Sequence, residues 1–336
     1  MGNSFFLKKY LCGLYSALVN LLQIISSTDD RSGKNASDQI SITPMSVHTG
    51  PEISGVDLRH PLSQVEIREV RDALLKWRVV FFRDQELTHR EHVTLARQFG
   101  EPTPGHVIFG NHNEYPEIYP VVKHRTAQAG DMTVKRAWTG WHTDITAAIN
   151  PPAASILRSV VLPPYGGDTQ WLNMAKAFDG LSSPMQEFLS SLRAVHRYRP
   201  ASDPKNKSNY NNLIEQKGMV SEHPLVTVHP ETGEKTLFTD PAYVDHIVGL
   251  TPRESQCLLE YLWEHCLRPE FTIRLRWNAG SIAFWDNRAT QHQAIGDIFD
   301  TDFSRELYRV TLNGEVPVGT DGRRSTAISG EPIKPV

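Results

Sequence analysis

Two histidines and an aspartate carry side chains that suit a divalent metal. His142 and Asp144 are two residues apart in "GWHTDITAAINPPA" (140–153), and His292 lies far along the chain in "FWDNRATQHQAI" (284–295). On a strand, residues two apart point to the same side, so His142 and Asp144 are expected to face one ligand together. Two imidazoles and one carboxylate on one face, with other positions open, form the donor set of non-haem iron(II) sites that activate oxygen. Zinc hydrolases use similar donors, and the pair also reads as two ordinary polar residues on a strand. Spacing alone leaves these readings open.

Other residues could hold an anion beside such a metal. Arg305 and Arg309 in "RELYRVTL" are four apart and share one side of an apolar strand. A planar guanidinium grips a carboxylate with two parallel bonds, which a lysine cannot do. A solvent-facing cationic edge is the plainer alternative.

These groups need elements to position them. "SQVEIREVRDALLKW" (63–77) and "THREHVTLARQFG" (88–100) each open on a capping box, Ser63 with Glu66 and Thr88 with Glu91, and continue at helical spacing. Gly100 reads as the second helix's stop. "TPRESQCLLEYLWEHC" (251–266) repeats the device with Pro252 at the first helical position. It also carries Cys257 and Cys266. Between and after these helices come short strand-like runs: "ISITPMSV", "PEISGVDL", "RVVFFRD", "AASILRSVVL", "GDTQWLN", "HPLVTVHP", "KTLFTD", "FTIRLRW", "SIAFWD" and "ELYRVTL". The turn in "HPETGEKTLF" predicts a hairpin. Many short strands with few crossover helices predict a mainly β fold with flanking helices, an antiparallel sandwich or barrel.

Composition sets further bounds. A net charge of -3 lacks the basic face that phosphate backbones require, so nucleic acid is not an expected partner. No Gly-rich nucleotide loop is present. The three cysteines show no C-x-x-C spacing and read as reduced thiols of a cytoplasmic protein. Residues 5–25 are apolar, with Lys8 and Lys9 near the start, and fit a helix that packs or lies on a membrane surface. The polar stretch 26–39 reads as a linker. The division expected is therefore a non-catalytic segment, 1–40, and one catalytic domain, 41–330. Two polar segments, 123–140 and 199–222, stand out as loops, the second long enough for a lid.

From about residue 41 to 330 the chain resembles the taurine dioxygenase family of iron(II)- and 2-oxoglutarate-dependent dioxygenases. "GWHTDITAAINPPAASILRSVVLPPYGGDTQW" and "GSIAFWDNRATQHQAI", with "RELYRVTLNGEVPV" after it, look like that family's two signature blocks. The resemblance implies a double-stranded β-helix (a cupin-like jelly roll). It implies His142, Asp144 and His292 as iron ligands. Thr169 would bind the C1 carboxylate of 2-oxoglutarate, and Arg305 its far carboxylate. Arg309 would meet the substrate's anionic group or the co-substrate. His106 matches the histidine that meets a sulfonate or sulfate. Phe109 stands where the taurine enzyme has a tyrosine, which points away from taurine itself. Trp171, two residues after Thr169, could pack near the iron, but plain core packing is the favoured reading. The loop between His292 and Arg305 looks longer than in the taurine enzyme, so the arginine assignments rest on the R-x-x-x-R-V-T-L pattern.

The implied reaction consumes 2-oxoglutarate and O2, gives succinate and carbon dioxide, and hydroxylates a C–H bond beside a heteroatom. An alkyl sulfate ester or sulfonate would then break down to an aldehyde with sulfate or sulfite. Aryloxyalkanoates are the next substrate class, and a non-catalytic metal-binding jelly roll is the reading from another class. A hydrolytic sulfatase would need a Cys- or Ser-x-Pro-x-Arg motif, which neither Cys257 nor Cys266 occupies. The resemblance also implies a dimer or tetramer.

Overall fold

The computed structural model describes residues 40–108, 110–123, 140–198 and 218–336. The apolar segment 5–25, Phe109, and most of the two predicted loops lie outside the described residues.

The first part of the chain runs β1 (Ser41–Pro44), β2 (Pro51–Ser54), α1 (Gln64–Trp77), β3 (Val79–Phe82), α2 (His89–Arg97), β4 (Ile118–Lys123) and β5 (Ala154–Val161). It continues with β6 (Thr169–Asn173), α3 (Met174–Asp179), α4 (Ser183–Ser190), β7 (Arg193–Arg197), β8 (Val220–Pro224), β9 (Val226–Val228), β10 (Lys235–Leu237) and β11 (Val244–Ile247). The last part holds α5 (Pro252–Cys266), β12 (Thr272–Leu275), β13 (Ile282–Asp286), β14 (Thr290–Ala294), β15 (Arg305–Leu312) and β16 (Thr326–Ser329).

A seven-stranded sheet in the order β1-β2-β3-β13-β5-β15-β4 faces a three-stranded sheet, β12-β6-β14. The middle strands of the large sheet are buried on both sides, and strand alternation sorts their residues between two cores. Val80, Phe82, Ile156, Ile282, Phe284, Val310 and Leu312 point outward into a core with α1 and α2. Val79, Phe81, Leu157, Ala283, Trp285 and Leu307 point inward, where they meet Trp171, Ile273 and Leu275 of the small sheet. This pair of sheets, flanked by helices, is the expected jelly roll. A further sheet, β11-β7-β8-β16, and the β9-β10 hairpin extend it, with α3 and α5 packed on a third core.

All three predicted capping boxes are present, at Ser63, Thr88 and Thr251. α2 ends earlier than Gly100 implies: Gln98 caps it in ordinary helical conformation, and Gly100 N–H still donates to Ala96 at 3.2 Å. The run 223–230 divides into the end of β8 and β9, because Pro224 ends one ladder. Strands β4, β7, β11 and β16 and helices α3 and α4 carry no run that the sequence reading picked out. Among the described residues no helix is long and apolar enough to cross a membrane.

Candidate metal centre

The stretch around His142 is not a strand. His142 and His292 form an isolated antiparallel bridge, exchanging N–H···O bonds of 3.1 and 2.8 Å. The loop is thus sewn directly onto β14, and the two imidazole rings lie 4.2 Å apart. Thr143 Oγ1 donates to Thr290 O at 2.7 Å and fixes the next residue. The chain then turns. Ile145 takes φ 50, a left-handed conformation that a β-branched residue rarely adopts. Its side chain is buried in a cluster with Ile108, Met219 and Ile333, which offsets the strain. That turn leads the chain away just after Asp144, and His142 and Asp144, two apart as expected, share one site.

One ligand atom from each of His142, Asp144 and His292 lies within 4.8 Å of the others. No fourth histidine, cysteine or carboxylate joins them among the described residues. Burial pushes the His292 imidazole well below its usual value and lowers that of His142. Burial opposes ionisation of Asp144, but the Arg309 guanidinium, with a hydrogen bond from Ser155, outweighs it and holds the carboxyl below its normal range. Neutral imidazoles beside an ionised carboxylate are the protonation states a metal needs. His142 Nδ1 lies 2.8 Å from Gly140 O, which puts the proton there and makes Nε2 the lone-pair nitrogen. His292 Nδ1 is buried without a hydrogen-bond partner, a cost that a metal bound at that nitrogen would offset. The donor set fits iron(II).

Arg305 and Arg309 both point inward from β15, with Leu307 between them. Arg309 Nη1 donates to Asp144 Oδ1, so this end of the strand is the metal end. Arg305 is almost wholly buried, at 1% exposure. Its Nε donates to Gly167 O at 2.9 Å and its Nη2 to Thr169 Oγ1 at 3.3 Å. Gly167, at φ 67, permits this approach, since a Cβ would come within 3.1 Å of Arg305 Cδ. Trp277 Nε1 also donates to Thr169 Oγ1, at 3.0 Å. Burial pushes the Arg305 guanidinium down to about 9, against the pull of Asp168 and Asp297. A buried cation so disfavoured is stabilised by an anionic ligand.

His106 closes the metal end. Its Nδ1 accepts from Ile108 N–H at 3.1 Å, which places the ring proton on Nε2. Burial, with Arg309 adding, pushes the imidazole down to about 3, so it is a neutral donor. Sequence reasoning missed Tyr119, which pairs with Arg309 across β4 and β15. Its ring lies 5.3 Å from the Arg309 guanidinium and 5.2 Å from His106. The run "EIYPVVK" does not alternate and gave no signal, since Tyr119 acquires these neighbours only when β4 pairs with β15. Trp171 pairs with His292 in the ladder of β6 and β14, but its ring is core, 5.8 Å from Trp285. A cavity of about 410 Å³ lies apart from the triad, lined by residues including Pro152, Val228, Phe238 and Asn287.

The family model for the taurine catabolism dioxygenase TauD, TfdA family matches residues 41–311. The chain belongs to that family. Among TauD/TfdA relatives, an alpha-ketoglutarate-dependent sulfate ester dioxygenase of Pseudomonas putida is 37% identical over 295 residues, 85% of this chain and 94% of the relative. An alkylsulfatase of Acinetobacter baylyi is 34% identical over 307 residues, 86% of this chain and 90% of the relative. The crystal structure of a taurine dioxygenase from Burkholderia xenovorans superposes with a TM-score of 0.76 at 54% identity, covering 87% of this chain and 96% of that one.

Proposed function

We propose that this protein is an iron(II)- and 2-oxoglutarate-dependent dioxygenase acting on a small organic anion, first of all an alkyl sulfate ester or a sulfonate. The convergence of His142, Asp144 and His292 within 4.8 Å carries the reading. The names of the Pseudomonas and Acinetobacter relatives favour the sulfate ester.

His142, Asp144 and His292 would hold the iron. Iron(II) with 2-oxoglutarate supplies the oxidation of a C–H bond by dioxygen. The rest of the work falls to this chain's side chains. Positions 305 and 309 lie about 13 Å apart along β15, so the strand sets out two ends of one site. Arg305 grips the far carboxylate of 2-oxoglutarate. In this reading Thr169 shares that task instead of meeting the C1 carboxylate, a choice supported by the contact of its hydroxyl with the Arg305 guanidinium. Arg309, held by Asp144, is the cation nearest the metal end and meets the anionic group of the substrate or co-substrate. His106 donates from Nε2 to the same anion, and Tyr119 packs on both. Leu157, Leu307 and Trp171 make the inner wall apolar and exclude water from the buried site.

Succinate release in air, measured across a panel of alkyl sulfates, sulfonates and aryloxyalkanoates, tests the reading. Turnover fastest with an alkyl sulfate is expected. No succinate above the enzyme-free rate with any member would overturn it.

A further inference from the structure

Asp144 is held from behind by a chain of neutral donors that no reading of the metal ligands includes. Trp285 Nε1 donates to Asn287 Oδ1 at 2.8 Å. Asn287 Nδ2 donates to Ser155 Oγ at 3.0 Å. Ser155 Oγ donates to Asp144 Oδ2 at 2.9 Å. All three supporting residues are at most 1% exposed, so water does not compete for these bonds.

Chemistry fixes the direction of the chain. An indole N–H can only donate, and an ionised carboxylate can only accept. Asn287 must therefore turn its amide oxygen to Trp285 and its amino group to Ser155. Ser155, having accepted from Asn287, has its own proton to give to Asp144. Backbone pairing locks the parts in place. Trp285 and Ser155 are partners in the ladder of β13 and β5, and Asn287 N–H donates to Ala153 O at 2.9 Å. The relay commits Oδ2 to the protein. The other oxygen, Oδ1, is the one that meets the Arg309 cation.

We infer that Ser155 and Asn287, with the Trp285 indole N–H, are positioning residues that fix the orientation of the Asp144 carboxylate in which it would meet the metal. The inference rests on the reading of His142, Asp144 and His292 as metal ligands. Outer partners of ligating carboxylates typically change metal affinity by about 10- to 100-fold. Ser155 is the only member touching Asp144, so Asn287 and Trp285 act through it. Their effects are therefore non-additive with its removal.

The test is titration of the full-length, metal-free protein with Co(II), read by its visible absorption, with thermal midpoints of the metal-free variants measured alongside. Ser155→Ala is expected to weaken Co(II) binding about tenfold or more and to alter the band. Ser155→Thr keeps the hydroxyl and should restore both. Asn287→Ala should weaken binding in the same direction, and the double variant should be no weaker than Ser155→Ala within twofold. Trp285→Phe removes the N–H together with part of a buried ring that packs 4.7 Å from His292, so it is read beside Asn287→Ser, a milder change that serves if an alanine variant fails to fold and should weaken binding in the same direction. Wild-type affinity in Ser155→Ala and Asn287→Ala, or losses that multiply in the double variant, would overturn the positioning role alone. Wild-type protein that binds Co(II) no better than His142→Ala would instead overturn the triad reading, and this inference with it.

Discussion

At the scale of single residues, Arg305 is the side chain whose surroundings most plainly call for a ligand. Burial disfavours its charge more than Asp168 and Asp297 support it, and Gly167 and Thr169 accept from its N–H groups. A dicarboxylate bound there should raise the thermal midpoint of the metal-loaded protein, since a ligand that binds only the folded state stabilises it. Arg305→Gln should remove that shift and raise the KM for 2-oxoglutarate about 100-fold, or about 3 kcal/mol, the loss expected on breaking a buried charged pair. Steady-state kinetics at saturating substrate, with thermal scans, checks both. An unchanged KM would mean that Arg305 meets no carboxylate. Arg309 behaves differently, because Asp144 already accompanies its charge in the structure.

At the scale of elements, the site depends on how closely loops approach strands. Gly105 lies against β4, and a Cβ there would come within 2.6 Å of Ile118 O and 3.0 Å of Tyr119 N. Gly105→Ala should push β4 away from the His106 loop and displace Tyr119. The expected result is a rise in KM for the anionic substrate of about tenfold, or about 1.4 kcal/mol, with the KM for 2-oxoglutarate little changed. By contrast, Thr251→Ala, far from the chemistry, should cost about 1 kcal/mol of stability through the lost cap and leave turnover as it was. Denaturant unfolding and kinetics on the two variants separate these effects. The helices with capping boxes were legible because the signal is local, and so were strands such as Val79–Phe82, buried on both faces. The His142 bridge was not. It depends on a partner 150 positions along the chain and on a left-handed Ile145, and neither leaves a periodic trace. The ligand identities were readable all the same, because the residue types and the family blocks carry them. Tyr119 and Ser155 escaped notice since their roles arise only when strands pair.

At the scale of the whole molecule, several histidines are buried in neutral form. His92 is pushed down to about 3 and His223 to about 4, both by burial, and burial carries His196 well below its ordinary value. Each is tied to a neutral oxygen, of Ile156, Ser325 or Thr146. The unfolded chain takes up protons at these groups near pH 6.5, before the folded one does. Stability is therefore full above about 6.5 and lost as pH falls toward 4, at about 1.4 kcal/mol per unit per histidine and about 4 kcal/mol per unit for these three, to which His106, His142 and His292 add in the same direction. Urea unfolding of the metal-free protein between pH 7.5 and about 5 measures the slope; a flat profile would show that these rings are protonated in the fold. The same sheet that buries the outer core also carries the site. β15 is laddered to β5 on one side and β4 on the other, so its register is held by two partners. A one-residue slip of that register would turn both arginines out toward α1 and α2 and bring Val310 and Leu312 inside. Residues 295–304, between β14 and β15, belong to neither ladder. Descent can lengthen or shorten that stretch while both arginines keep their stations, so among relatives the reliable ruler is rungs on the ladder and not residues counted from the histidine.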